Sequence, residues 1–360
     1  MWPYWLMFIA VAWVAMTRMR APTSGVSLIN ARWRLSWWIP LVALTLMIGL
    51  RHDVGGDWFV YLNHIQDARG ETFLNSLGQG DPAYVALNWF GANVFGGEYL
   101  VNTVCAALFA WGLLSFCRAQ PRPWLAFLVA VPYLITVVAM GYTRQGVAIG
   151  LAMLGLTAVM KGSVLRFVLW VAIAATFHKS ALILLPLGIF SSGKHRFVTL
   201  IGVIGSAGLL FILLLQEHVD TLLANYIEAE YSASGAAIRI FMNALPASIF
   251  LLFRQHFRLS PSQRSFWTWI SLVALVFVVL FIVSPSSTAV DRIALYWIPL
   301  QLFVWSRTPD IFGQYGQRNL IWAIAVAAYS GGVLFTWLFF ADHAYAWLPY
   351  QWYPWVYLWS

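Results

Sequence analysis

The stretch LSWWIPLVALTLMIGLRHDVGGDWFVY, residues 35–61, passes directly from an apolar segment into a dense group of ionisable side chains. Arg51, His52, Asp53 and Asp57 follow one another within a few positions. Ionisable groups are costly to desolvate at a membrane boundary, so they concentrate in water-filled cavities and mark functional sites. The stretch therefore predicts a membrane-spanning helix that ends at a polar, functional turn.

The composition of the whole chain agrees with a polytopic membrane protein. Of the 360 residues, 61% are hydrophobic and only 9% are charged, whereas a soluble domain is about 25% charged. The mean hydropathy is +0.74. Spans of about 20 residues each use up most of this length, so we expect one membrane-embedded domain over residues 1–360.

Apolar runs and their breaks predict an all-α fold with about 11 or 12 transmembrane or re-entrant helices. The runs lie near residues 3–17, 35–50, 98–117, 123–141, 145–160, 164–177, 180–190, 197–215, 236–253, 266–284, 291–305 and 319–340. The N-terminus lacks the positive region of a cleavable signal peptide, so the first run is expected to remain as a helix. The run at 180–190 is too short to cross a bilayer at about 1.5 Å per residue, which predicts a re-entrant piece or an extension through His178.

Loop charges predict the topology. When the loops are assigned alternately to two sides, one side receives most of the 21 Lys and Arg residues and a single acid, Asp310. The positive-inside rule makes that side the cytoplasm. The net charge of +8 then follows from topology, so a nucleic-acid partner, which a basic protein can otherwise indicate, is not expected.

The outer side nevertheless keeps several cations at or near span ends. They are Arg51, Arg144, Arg239 and Arg292, with Lys179 beside His178. Cations retained there favour an anionic ligand, which Arg binds bidentately. Two alternatives remain: pairing with a neighbouring acid, as Arg292 with adjacent Asp291, or snorkelling of the charged group to the interface.

Residues 51–97 and 216–236 are predicted to be outer, periplasmic loops with amphipathic helices. Apolar and polar positions from Asp57 onward suit a helix at the membrane surface, and Asp81-Pro82 suits the N-cap and first position of a second helix. The later loop is acidic, which suits sugar hydroxyls and equally a solvated helix. The aromatic residues at 347–355 suggest an interfacial belt.

An ordered series of short motifs resembles the EpsG family over nearly the whole chain. The series comprises Arg51, Asp57 after its two glycines, Tyr61, Asp81-Pro82, Thr143-Arg144-Gln145, Phe177-His178-Lys179-Ser180-Ala181, Asp291-Arg292, Tyr296 and Pro349-Tyr350. One position departs from the family pattern, because Asp81 stands where Glu is expected. Its role as a helix cap or as a sugar ligand is therefore left open.

The resemblance implies a Wzy-type polymerase of exopolysaccharide or O-antigen repeat units, similar in architecture to GT-C glycosyltransferases. It implies that a growing glycan is transferred from undecaprenyl diphosphate onto a new lipid-linked repeat unit. Donor and acceptor would both be undecaprenyl-diphosphate-linked oligosaccharides in the lipid bilayer. The implied location is the bacterial inner membrane with a periplasmic active site, and a chain-length-regulating membrane protein is an implied partner.

That chemistry assigns roles to the candidate residues. A diphosphate leaving group needs cations, for which Arg51, Arg144, Lys179, Arg239 and Arg292 are the candidates, assisted by His178. The acceptor hydroxyl needs a general base. Asp57 is the first candidate, because the flexible glycines before it can turn it inward, and Asp53 is the second. A single base opposite the leaving group predicts inversion at the anomeric carbon.

The remaining candidates are substrate contacts, namely Tyr61, Asp81, Gln145 and Tyr296. No metal site and no cofactor are expected, because the cations suffice for the diphosphate. The sequence has no Walker motif and no Gly-x-Ser-x-Gly elbow, which argues against ATP coupling and serine hydrolase chemistry. A flippase for lipid-linked glycans and a membrane O-acyltransferase using His178 as base are the alternative functions.

Overall fold

The computed structural model describes residues 1–19, 33–191, 201–208, 235–284 and 287–359. Helices make up almost all the regular structure in these ranges, and a two-stranded antiparallel sheet is the exception. The all-α fold class predicted from the apolar runs is therefore confirmed. Most of the predicted acidic loop at 216–236 lies outside the described residues, as do Glu217, Asp220, Glu228 and Glu230.

The described residues of the first half form nine α-helices, a π-helical segment and one strand. They are α1 (Trp2–Thr17), α2 (Leu35–Gly49), β1 (Arg51–His52), α3 (Trp58–Ala68), α4 (Phe73–Leu77), α5 (Pro82–Asn93), α6 (Gly97–Arg118), α7 (Pro123–Ala130) with a π-helical continuation (Val131–Ala139), α8 (Thr143–Met160) and α9 (Val164–Phe177). A 3₁₀ segment (Lys179–Ser191) follows α9. The surface helix expected after Asp57 is α3, which buries Trp58, Tyr61, Ile65 and Ala68.

Residues 201–208, 235–284 and 287–359 contain further helices and the second strand. They are α10 (201–208), α11 (Ala236–Phe253), α12 (Pro261–Val283), α13 (Ser287–Ala294), a 3₁₀ turn (Leu295–Trp297), α14 (Ile298–Trp305), α15 (Thr308–Phe312), α16 (Leu320–Phe340), a 3₁₀ turn (Ala344–Trp347), β2 (Gln351–Trp352) and α17 (Tyr353–Trp359). The span predicted at 291–305 is broken into pieces, because Pro299 cannot donate to the Leu295 carbonyl. The span predicted at 266–284 starts at Pro261, because Ser260 and Gln263 form a capping box.

Five helices in the described ranges are long and apolar enough to cross a membrane, namely α6, α8, α11, α12 and α16. Shorter apolar helices accompany them, including α1, α2, α9 and the continuous segment Pro123–Ala139. The 3₁₀ segment after α9 occupies the short run that was predicted to be re-entrant or extended. These helices make the chain a multi-pass membrane protein.

The centre of the helical bundle is α8, which packs against α6 and α9 and whose apolar window is 94% buried. Two glycines permit this packing. A Cβ on Gly112 would lie 1.9 Å from the carbonyl oxygen of Gly150, and a Cβ on Gly150 would lie 2.6 Å from the Cα of Phe109. Small residues of this kind let membrane helices approach backbone to backbone.

One end of the bundle collects loops that the charge pattern assigns to the cytoplasm. Arg122 pairs with Asp310 at 2.7 Å and donates to the backbone carbonyl oxygens of Met19, Gln317 and Arg318. Both charged side chains are buried. The predicted cytoplasmic loops thus meet around a single buried ion pair.

The opposite end ties the C-terminal region to the turn that begins at Arg51. Strands β1 and β2 pair antiparallel, with Arg51 opposite Trp352. Trp347 is 1% exposed, and its indole donates to the Thr136 carbonyl oxygen in the π-helical segment at 2.7 Å. The interfacial belt expected at 347–355 is therefore wrong for Trp347, which fills the interior, whereas Trp355 is exposed.

We expect Gly112→Ala to destabilise the protein by about 1–3 kcal/mol, because the added methyl group would overlap the α8 backbone. The measurement is the apparent thermal midpoint of purified protein in detergent. Gly202→Ala is the control, since a Cβ there meets nothing within 4 Å. Equal midpoints for the two variants would contradict the close α6–α8 contact.

Candidate active site

Arg51 is the best-anchored side chain at this end of the bundle. It is completely buried, and its guanidinium donates to the carbonyl oxygens of Ile48 and Val54 at 2.6 and 3.1 Å. It also donates to Thr143 Oγ1 at 2.7 Å and Asn102 Oδ1 at 3.3 Å. The rigid fork of an arginine can serve acceptors in several directions at once. Arg51 thereby joins the end of α2 to α6 and to the start of α8.

This burial does not fit the direct diphosphate contact predicted for Arg51. Its nitrogen atoms are directed at protein acceptors, and its side chain has no exposed surface. Loop charge alone does not distinguish a buried cation from one that borders open space. Arg51 is buried and binds groups of the protein, whereas Arg144 and Arg292 keep exposed surface.

The turn before Asp57 depends on glycine. Gly55 has φ = +109°, which side chains disfavour, and a Cβ there would lie 2.3 Å from the Met140 carbonyl oxygen. Its N–H donates to the Ala346 carbonyl oxygen at 2.8 Å. The turn places Asp57 at the start of α3, where Tyr61 Oη donates to Asp57 Oδ2 at 3.4 Å.

Asp57 is a half-buried carboxylate under the influence of two cations. Burial raises the pKa of its carboxyl above the ordinary value, while the charges of Arg292 and Arg144 and the hydrogen bond from Tyr61 lower it. Arg144 belongs to the first turn of α8 and Arg292 to the last turn of α13. Residues far apart in the sequence therefore combine a candidate proton acceptor with two candidate anion-binding groups.

Arg144 is held from one side and open on the other. Its guanidinium lies 3.6 Å from Asp81 Oδ2 and 5.7 Å from the ring centroid of Tyr84, while 37% of its side chain is exposed. Asp81 takes the N-cap position of α5, as predicted, but its carboxylate makes no capping bond. It accepts the backbone N–H of Lys179 at 3.2 Å instead, so it connects α5, α8 and the segment after α9.

His178 lies at the break between α9 and the 3₁₀ segment. Its Nδ1 accepts the backbone N–H of Ser180 at 3.3 Å, which leaves Nε2 to carry the ring proton of the neutral imidazole. The ring is 6.5 Å from that of Tyr296 and in electrostatic range of Arg144 and Arg292. In this tautomer His178 Nε2 can donate a hydrogen bond and cannot accept a proton.

Asp291 pairs with Arg239, and this corrects the alternative in which it would pair with Arg292. Arg239 Nε lies 2.6 Å from Asp291 Oδ1. Neighbouring residues of an α-helix point about 100° apart, so Asp291 is buried whereas Arg292 is exposed. Gln145 Nε2 donates to the Arg292 carbonyl oxygen at 2.5 Å, which ties the end of α13 to α8.

This constellation agrees with a comparison against known families, in which the model of the EpsG family matches residues 34–352. The protein belongs to the EpsG family. Neither curated proteins nor solved structures give a significant match. EpsG is a family of Wzy-type polymerases, so membership indicates an enzyme of polysaccharide synthesis.

The structure of this EpsG-family member also locates the other predicted residues. Asp53 is exposed with φ = +49°. Its side chain makes no hydrogen bond or ion pair with any part of the chain that the structure describes. The four residues predicted to contact substrate are buried and support their neighbours, namely Tyr61, Asp81, Gln145 and Tyr296. Among the described residues no group of three or more His, Cys, Asp or Glu could hold a metal ion.

Sequence reasoning missed several residues that complete the site. Asn102 lies within the apolar run of α6, and a polar side chain inside a span is itself a signal of function. Tyr142 lies two residues before Arg144 and in electrostatic range of Asp57 and Arg239. The partner of Asp291 could not be predicted, because the direction in which a side chain leaves a helix cannot be read from adjacency.

Arg51→Ala and Arg292→Ala should separate anchoring from ligand binding. Arg51→Ala should lower stability by about 2–4 kcal/mol, because buried acceptors lose their donors, and should lower chain-extension activity as well. Arg292→Ala removes the same charge from an exposed position, so only activity should fall. Thermal midpoints and polymer yields of both purified variants measure this. A wild-type midpoint for Arg51→Ala would contradict the anchoring role.

Proposed function

We propose that this protein polymerises oligosaccharide repeat units carried on undecaprenyl diphosphate, for exopolysaccharide or O-antigen synthesis. The growing glycan is the donor, and the terminal sugar of a new lipid-linked repeat unit is the acceptor. The observation that carries the proposal is the position of Asp57, whose Oδ2 accepts a hydrogen bond from Tyr61. The Tyr61 ring packs against Tyr84, and the Arg144 guanidinium lies over the Tyr84 ring. Membership of the EpsG family supports the reaction class.

In the proposed reaction the acceptor hydroxyl attacks the anomeric carbon of the donor sugar. The new glycosidic C–O bond forms as the bond to the diphosphate breaks, and the diphosphate leaves with the bonding electron pair. The proton of the hydroxyl passes to the Asp57 carboxylate. One displacement with one base inverts the configuration at the anomeric carbon, and no covalent enzyme intermediate forms.

The cations are assigned to the diphosphate. Arg144 and Arg292 retain exposed surface, so they can contact its oxygens and stabilise the charge that develops on departure. His178 adds a neutral donor through Nε2, and Lys179 and Arg239 border the same region. In this proposal Arg51 does not contact the diphosphate. It holds the turn of Asp57 in a fixed position relative to the first turn of α8.

The reaction is assigned to the periplasmic face of the bacterial inner membrane, in a GT-C-like helical scaffold. The positive-inside rule supports this sidedness, because the Arg122–Asp310 end collects the basic loops and the proposed site lies at the other end. The polar residues of the site gather at one end of the described bundle, which favours a transferase over a flippase. A chain-length-regulating membrane protein stays a predicted partner.

The function is tested with purified protein and a single lipid-linked repeat unit. A ladder of extended glycans, with each new linkage inverted relative to the donor diphosphate, is the expected product. Translocation without extension would assign a flippase, and acyl transfer would assign an acyltransferase. Retention of configuration would contradict the single-base mechanism.

Asp57→Asn should reduce the rate of chain extension about 10²- to 10⁴-fold, as expected for loss of a general base. Binding of the lipid-linked donor should persist, because the cations are unchanged. Asp53→Asn is the matched control and should keep most of the activity, since Asp53 is exposed and outside the cluster. Normal polymer from Asp57→Asn would assign the base to another residue.

The pH profile provides an independent test of Asp57. The reaction uses the carboxylate form, so the rate should fall as the pH drops through the pKa of Asp57, which burial raises above the ordinary value. Arg292→Ala removes a positive charge that lowers this pKa and should shift the acidic limb to higher pH. The measurement is the rate of chain extension against pH for the wild-type protein and for Arg292→Ala. If the acidic limbs of the two profiles coincide, Asp57 is not the general base.

A further inference from the structure

A cavity of about 530 Å³ lies between α11 and α16, beside the proposed active site. This volume is in the range of about 300–1,000 Å³ that small-molecule sites occupy. Several of its lining residues have exposed side chains, among them Ile238 and Phe340. Both helices are membrane spans by length and composition, so the cavity is a groove that opens sideways toward lipid.

The groove is polar at one end and apolar along its length. Arg239 lies near the start of α11, and Asp342 and His343 directly follow the end of α16, so the charged residues share the outer end of the two helices. The wall continues along α16 as far as Tyr329. From Tyr329 to Phe340 the helix rises roughly 16 Å, at 1.5 Å per residue. The groove therefore runs from the interface into the depth of the membrane.

The polar end of the groove borders the Arg239–Asp291 pair. Arg239 lines the groove, and its Nε lies 2.6 Å from Asp291 Oδ1. Tyr133 and Met242 also line both this groove and the small void around Asp291. A molecule whose head group reaches this pair can thus extend an apolar tail along α16.

We propose that this groove holds the membrane-proximal part of the polyisoprenyl chain of the lipid-linked donor. The inference rests on the proposed function, because it takes the donor to be a lipid diphosphate. The occupant must combine a polar head with a long apolar chain, which matches the charged residues at the outer end and the apolar wall below them. Most of the surface that lines the groove is apolar, which suits a prenyl chain better than a glycan, because sugar hydroxyls would lose their hydration there.

Gly332 offers a direct way to fill the groove. It lines the cavity, and a Cβ added to it meets nothing within 4 Å, so Gly332→Phe introduces a ring from an open position on the groove wall. Gly205→Phe is the matched control, because Gly205 lies exposed on α10 and its added Cβ also meets open space. Neither residue belongs to the proposed catalytic or diphosphate-binding set.

We expect Gly332→Phe to raise the KM for the full-length donor about tenfold, equivalent to lost burial of about two methylene groups. The KM for a donor with a short, water-soluble prenyl chain and the kcat should stay unchanged, as should all values for Gly205→Phe. An unchanged KM of Gly332→Phe for the full-length donor would contradict binding of the prenyl chain in the groove. An equal rise of the KM for both donors would contradict it as well. If the wild-type protein extends no chains, the proposed function fails instead.

Photolabelling tests occupancy without turnover. Polyprenyl diphosphate with a diazirine at the chain end should label peptides of α11 and α16 in the wild-type protein, and Gly332→Phe should abolish this labelling. Excess undecaprenyl diphosphate should compete, whereas phosphatidylglycerol should not. Competition by phosphatidylglycerol, or labelling elsewhere in the chain, would overturn the assignment. Labelling of α11 and α16 without chain extension would support the prenyl-chain site and contradict the proposed polymerase function.

Discussion

The completely buried guanidinium of Arg51 is the interaction on which the outer end of this protein depends. A cation in the interior is costly to desolvate, and it is stable only when its donors are satisfied. Two of its acceptors are backbone carbonyl groups beside it in sequence, and two are side chains of α6 and α8. Their geometry fixes how the turn carrying Asp57 lies against the helix that carries Arg144.

The active-site candidates show how a helical bundle builds a polar site from loops. Each arginine near Asp57 comes from a different helix end, and each is held by a contact to another element. Asp81 holds Arg144, Asp291 holds Arg239, and Gln145 holds the backbone at Arg292. These supporting groups leave Arg144 and Arg292 with exposed surface. The arrangement keeps like charges close together without requiring a bound ligand to hold the loops in place.

Much of this organisation could be predicted from the sequence, because hydrophobic run length and loop charge are local properties. The spans, the surface helix after Asp57 and the gathering of the motif residues at one end follow from them. The burial of Arg51 could not be predicted, since it depends on Asn102 and Thr143 from distant segments. The Arg239–Asp291 pair depends on the direction in which each side chain leaves its helix, which the sequence does not give. The buried position of Trp347 depends on the pairing of β1 with β2, and strands of two residues are too short to be predicted from the sequence.

The pairing of β1 with β2 has a consequence for how the protein matures. Gly55 and Arg51 are translated long before their partners Ala346 and Trp352. Tyr4 likewise donates to the carbonyl oxygen of Trp347. The turn that presents Asp57 therefore gains these contacts only after residues 346–352 have been translated and inserted. A nascent or truncated chain that stops before residue 346 lacks the contacts that hold this turn in place.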